Sequence, residues 1–118
     1  PILRGKIKSI GYTNFDYYMS FEDEAVKGKI KNIGATPFSY FPSSDNEAYK
    51  GKIRTVGNTN ISYYASFDDK AYKGKVKSIG NINFSYYSSF DRKEYQGAMK
   101  PGTIYNPYVN GIKFLVRN

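Results

Sequence analysis

The sequence predicts an all-β protein: four tandem 23-residue β-hairpins in one continuous, twisted, elongated antiparallel sheet, ended by a divergent C-terminal cap. Three observations point there. Gly5, Gly28, Gly51, Gly74 and Gly97 recur every 23 residues, and a fixed period of this length is the mark of a repeat architecture. Within each copy, short runs of β-branched and aromatic residues flank a cluster of turn formers. Leu3 and Leu115 are the only leucines in 118 residues, a composition that suits sheet better than helix.

The repeats span 5–27, 28–50, 51–73 and 74–96, with 97–118 as the cap of a single domain. In the third copy the first arm is Lys52-Ile53-Arg54-Thr55-Val56. It stops at Gly57-Asn58-Thr59-Asn60, a cluster fit for a tight turn. The second arm, Ile61 to Phe67, sets Ile61, Tyr63, Ala65 and Phe67 against Ser62, Tyr64 and Ser66, the period of two of a half-buried strand. Ile53 and Val56 stand three apart, so a regular strand cannot place both on one face. Either a bulge separates them or both sheet faces are covered. The connector Asp68-Asp69-Lys70-Ala71-Tyr72-Lys73-Gly74 reads as a reversing loop, with one helical turn as the alternative. Pro37 and Pro42 mark the second repeat as the least regular.

A lone hairpin is marginal in water, so consecutive copies must pair. With the tail they supply about eight to ten strands, which could instead close into a barrel. The ends favour the open sheet. Leu3-Arg4-Gly5 fills the place of Tyr72-Lys73-Gly74, and no initiator Met stands first, as expected of a chain trimmed from a precursor with an export signal. After Gly97, Met99 keeps the apolar slot, but Pro101-Gly102 replaces the strand end. Tyr105-Asn106-Pro107-Tyr108 and Ile112 to Val116 then follow as the different segment a cap requires.

Composition removes much chemistry. There is no His, Cys or Trp, but there are 13 Tyr and 8 Phe. No thiolate, imidazole, disulfide or usual zinc ligand set is possible. No apolar run is long enough to span a membrane as a helix.

The Tyr-x-Gly junctions (Tyr49-Lys50-Gly51, Tyr72-Lys73-Gly74, Tyr95-Gln96-Gly97) and the period resemble MORN repeats, hairpins laid side by side, although the internal glycines usual after their turns are missing. The pattern GKIKSIG, FSYY, FDD, YKGK is more closely similar to tandem repeats of uncharacterised exported bacterial proteins. That resemblance implies a cell-envelope or secreted setting and supplies no catalytic residues.

Like residues of the copies should fall into rows. Lys6, Lys29, Lys52 and Lys75 form one basic row; Lys8, Lys31, Arg54 and Lys77 a second; Arg4, Lys27, Lys50 and Lys73 a third. The net charge is +8. Lysines on exposed strands block unwanted pairing and can bridge nearby carboxylates, or they can track an extended polyanion. Tyr17, Tyr40, Tyr63 and Tyr86 share parity with Phe15, Phe38, Ile61 and Phe84 and are expected in the buried seam. Tyr18, Phe41, Tyr64 and Tyr87 are expected on the opposite face, as an interaction surface for protein or for sugars. The carboxylates Glu22-Asp23-Glu24 and Asp68-Asp69 recur at every connector, which suits turns and caps rather than a metal or general-acid site that occurs once.

The expected function is therefore non-enzymatic, without catalytic residues, metal or cofactor: a structural or protein-interaction scaffold that binds multivalently, with a protein partner or self-association. The alternative is a carbohydrate- or polyanion-binding module, with acidic polysaccharide as the ligand. Nucleic acid is disfavoured, because no recognised motif accompanies the charge.

Overall fold

The computed structural model describes residues 5–102 and 107–116. Its strands are β1 (Ser9–Ile10), β2 (Thr13–Tyr17), β3 (Ile30–Ile33), β4 (Thr36–Tyr40), β5 (Ile53–Val56), β6 (Thr59–Tyr63), β7 (Val76–Ile79), β8 (Ile82–Asn83), β9 (Tyr108–Val109) and β10 (Ile112–Lys113). No helix occurs among the described residues. Strands β1 to β8 form an antiparallel sheet in chain order, and β9 and β10 a separate ribbon. The order begins at β1 and ends at β8 without closing, so the barrel alternative is not realised. The chain divides into two compact units, Pro1–Asp45 with Lys50–Asn58, and Asn46–Tyr49 with Thr59–Asn118.

In the first unit β1 pairs with β2, β2 with β3, β3 with β4 and β4 with β5. The β3–β4 hairpin turns on Gly34-Ala35, with Gly34 at φ +58°. Glycine reaches that conformation freely, and its place as first central residue matches the II′ turn that suits a twisted hairpin. The spacing of Ile53 and Val56 resolves as a bulge. Tyr40 faces Ile53, Ser39 faces Thr55, and Arg54 is passed over. Phe38 and Tyr40 lie two apart on β4, so their partners Val56 and Ile53 share a face. Lys31 is passed over in the same way between β2 and β3.

The second unit repeats the device: Ser62 faces Ser78, Tyr63 faces Val76, and Lys77 is the extra residue. Here the core is deepest, around Phe84 (1% exposed), Ile79 (2%), Tyr86 and Ile61. An isolated bridge joins Tyr86 to Met99, so 98–100 serves as a short fifth first arm. The ribbon turns on Asn110-Gly111, both at positive φ, and Asn110 Nδ2 donates to the buried hydroxyl of Thr59 at 2.6 Å. Val116 is buried as well. Tyr105 and Asn106 of the expected cap lie outside the described residues.

Two expectations are corrected. The second arm ends as strand at Tyr63, and Phe67 is 85% exposed rather than turned inward. Asp68 Oδ2 accepts the amide of Ala65, which bends the chain out of the sheet before the alternation is complete. The second repeat is not the least regular: β3 and β4 match β5 and β6 in length. Pro37 keeps its register opposite Asn32, and its carbonyl accepts from Gly57 N as Asn14 O does from Gly34 N. Connectors are reversing turns, and in the first and third an isolated i to i+4 bond closes, Lys27 N to Asp23 O and Lys73 N to Asp69 O, each at 2.9 Å. No helix is long and apolar enough to cross a membrane among the described residues.

Candidate functional site

The two tyrosine rows are both structural. Inner-row hydroxyls donate back to the first arm of their own repeat: Tyr17 to Ile7 O, Tyr40 to Ile30 O and Tyr86 to Val76 O. Tyr86 is buried, while Tyr17, Tyr40 and Tyr63 are half-buried. Burial pushes the Tyr63 and Tyr86 phenols up to about 12, since the phenolate is the form that loses hydration.

Outer-row hydroxyls donate forward, into the next repeat. Tyr18 reaches Phe38 O at 2.7 Å and Tyr64 reaches Phe84 O at 2.8 Å. Their rings meet inner-row rings edge-on, Tyr18 with Tyr40 at 6.1 Å and Tyr64 with Tyr86 at 5.9 Å, a favoured aromatic geometry. Tyr18, Phe41, Tyr64 and Tyr87 are thus half-buried, and the described contacts hold Tyr18 and Tyr64 between repeats rather than on a free opposite face. Adjacent residues of a strand point to opposite faces, but the strand ends at Tyr17 or Tyr63.

The basic rows divide. Lys29 Nζ donates to Gly51 O, and Lys75 Nζ to Gly97 O at 2.5 Å. The same ammonium groups lie over Tyr40 and Tyr86, and Lys6 over Tyr17. Lys52 is exposed, and its carbonyl accepts from Phe41 N. The second row occupies the bulges and points outward. Exposed Lys31 lies 5.5 Å from the centroid of Tyr18 and Arg54 5.6 Å from Phe41. In the second unit Lys77 lies 5.7 Å from Tyr64 and Lys100 5.8 Å from Tyr87. Lys8 is exposed too. Lys100 extends this row beyond Lys77, and its place three residues after Gly97, as Lys77 follows Gly74, is the sequence signal for it. In the third row Lys27 pairs with Glu24 at 2.9 Å, Lys50 and Lys73 are exposed, and Arg4 lies outside the described residues.

Connector acids act as clasps. Asp23 Oδ1 accepts from Ala25 N and from Ser43 N of the next repeat, while its Oδ2 takes the Ser43 hydroxyl. Asp69 does the same with Ala71 and Ser89. Asn46, at the equivalent place, holds Ala48 and Ser66. Hydrogen bonds from Ser43 and Ala25 lower the Asp23 pKa, and bonds from Ala71 and Ser89 lower that of Asp69. No three carboxylates gather as a metal-ion cluster among the described residues.

Each unit also exposes connector rings that alternation had concealed. Phe21, Phe67 and Phe90 stand at equivalent connector tips, 81%, 85% and 95% exposed. Ser44 takes that place in the second repeat. Each ring is followed at once by acid: Glu22, Asp68 or Asp91. No protein family, curated relative or solved structure matches the chain.

Proposed function

We propose that the chain is a non-enzymatic interaction scaffold that engages a protein partner multivalently through its connector tips. The exposure of Phe67 and Phe90 carries this reading. A phenyl ring left in water costs hydrophobic free energy that burial against a partner would recover, about 2 kcal/mol each. The connectors bearing the rings are fixed by the Asp23–Ser43 and Asp69–Ser89 clasps, which lowers the entropy cost of docking. A ring beside a carboxylate fits an apolar pocket rimmed by Lys or Arg. Similarity to exported repeat proteins supports a cell-envelope or secreted setting.

The test is cross-linked capture from the native cell surface, run in parallel with wild type and with Phe21→Ser, Phe67→Ser and Phe90→Ser added one at a time. Partner recovery should fall in steps. The same partners at undiminished recovery from the triple variant would reject the proposal.

The outward bulge cations favour a second reading, an acidic-polysaccharide module. Titration with polygalacturonate decides it. Salt-sensitive binding that drops on replacing Lys31, Arg54 and Lys77 would move the function there. Stacking on sugars through Tyr18 and Tyr64 loses support, because both rings are packed between repeats.

A further inference from the structure

The second unit holds its tyrosines in contact. Tyr64 and Tyr72 have ring centroids 4.7 Å apart at 64°, and both lie against Tyr86, at 5.9 and 6.1 Å. Tyr87 and Tyr95, the same pair one repeat on, stand 5.5 Å apart at 37°. Main-chain bonds set both pairs. Gly74 N donates to Tyr64 O and Lys75 N to Tyr72 O, as Gly97 N does to Tyr87 O and Ala98 N to Tyr95 O. The first two repeats lack the pair: Tyr18 and Val26 take those positions in one, Phe41 and Tyr49 in the other.

A phenol is the most readily oxidised ring in a chain without Trp. The Tyr64 and Tyr72 centroids stand little farther apart than those of two rings already joined by a carbon–carbon bond. Both residues are half-buried, so each keeps a part that solvent reaches. Burial, then the neighbouring Tyr72 and Asp68, raises the Tyr64 pKa. The phenol that meets an oxidant is therefore protonated and gives up a proton with its electron.

We infer that Tyr64 and Tyr72 form an oxidative cross-linking site, at which hydrogen peroxide and a haem peroxidase join the two rings as dityrosine. The peroxide takes one electron and one proton from each phenol and leaves as two waters. The two phenoxyl radicals couple through the carbons next to their oxygens, and the hydrogens on those carbons move to the oxygens. Tyr87 and Tyr95 form the second such site. Each bond closes a connector into a loop that contains Phe67 or Phe90. It supplies the covalent tie that a chain without cysteine cannot draw from disulfides. The chemistry needs no partner at the connector tips.

The test treats the dilute, intact protein with a haem peroxidase and hydrogen peroxide, and reads dityrosine emission and tryptic masses. Trypsin separates Tyr64, in 55–70, from Tyr72, in 71–73. After oxidation the two peptides should travel as one, lighter than their sum by two hydrogen atoms. The Tyr87–Tyr95 link should form at lower yield, in line with its longer separation. Tyr64→Phe and Tyr72→Phe should each abolish the first link; the former copies the residue that the second repeat already carries at Phe41. Tyr12→Phe, at a fully exposed ring, should change nothing. Absence of the joined 55–70 and 71–73 species, a link that survives Tyr64→Phe, or dimers joined through Tyr12 in its place would each overturn the inference.

Discussion

Lys75→Met and Lys77→Met, two residues apart on one arm, should behave as different kinds of substitution. Methionine keeps most of the length and apolar stem of lysine and removes the charge. At Lys75 it deletes the bond from Nζ to Gly97 O, 2.5 Å long, and the cation 5.5 Å from the Tyr86 ring. Gly97 is buried, so its carbonyl loses a charged donor that water replaces poorly. A hydrogen bond to a charged group contributes about 1.5–3 kcal/mol, and about 2 kcal/mol is expected here because Lys75 is only half-buried. At Lys77 only a cation over the Tyr64 ring is lost. An exposed contact of that type contributes about 0.5 kcal/mol. In a chain this size about 2 kcal/mol lowers the melting temperature by roughly 8 °C, and 0.5 kcal/mol by roughly 2 °C. Thermal and urea denaturation measure both. In polygalacturonate titration any binding should depend on Lys77 and not on Lys75. Equal losses of stability, or a greater loss for Lys77→Met, would refute the division of the basic residues into an inward and an outward row.

Gly97→Ala should destabilise by about 2–3 kcal/mol, since a Cβ there stands 2.8 Å from Ala71 O at φ +82°; Gly11→Ala, at φ +60° in open space, should cost only the left-handed backbone strain of about 1 kcal/mol, and urea midpoints compare them. Asp69 has a lowered pKa in the fold, so its contribution is present above the unfolded value near 4 and lost as pH falls through the folded value. Asp69→Asn should keep the clasp, as Asn46 does, and lessen the acid loss; urea midpoints from pH 2 to 7 test this, and Asp69→Ala should be weaker throughout. Tyr63 and Tyr86 have raised pKa values of about 12, so their contribution is present below about pH 10 and lost as pH climbs from there through 12. Phenolate absorbance should show a late-ionising fraction that Tyr86→Phe reduces.

Much of the fold was legible because a repeat states each rule four times. The glycine period placed every hairpin, and the awkward three-residue gap between Ile53 and Val56 announced a bulge as one of two solutions. Where the reading failed, a local polar group outweighed alternation. Phe67 continues the parity of Ile61 and Tyr63, yet Asp68 captures the Ala65 amide and turns the ring into solvent. Tyr18 and Tyr64 lie just past the strand ends, where parity no longer decides direction. Their forward hydrogen bonds link positions twenty residues apart, a relation no hydropathy pattern contains. The clasps were equally hidden, although serine recurs at 20, 43, 66 and 89.

That twenty-residue reach has a bearing on how such a chain can change in length. Asn46 holds Ser66; excising residues 47–69 would bring Ser89 to the same remove from Asn46, with no other edit. Loss or gain of a whole copy therefore heals its own seam, whereas a cut one residue longer or shorter would break every bond that crosses it. Recombination between copies can lengthen or shorten the protein without a redesign of its joints, and a shortened chain that failed to melt cooperatively would disprove this.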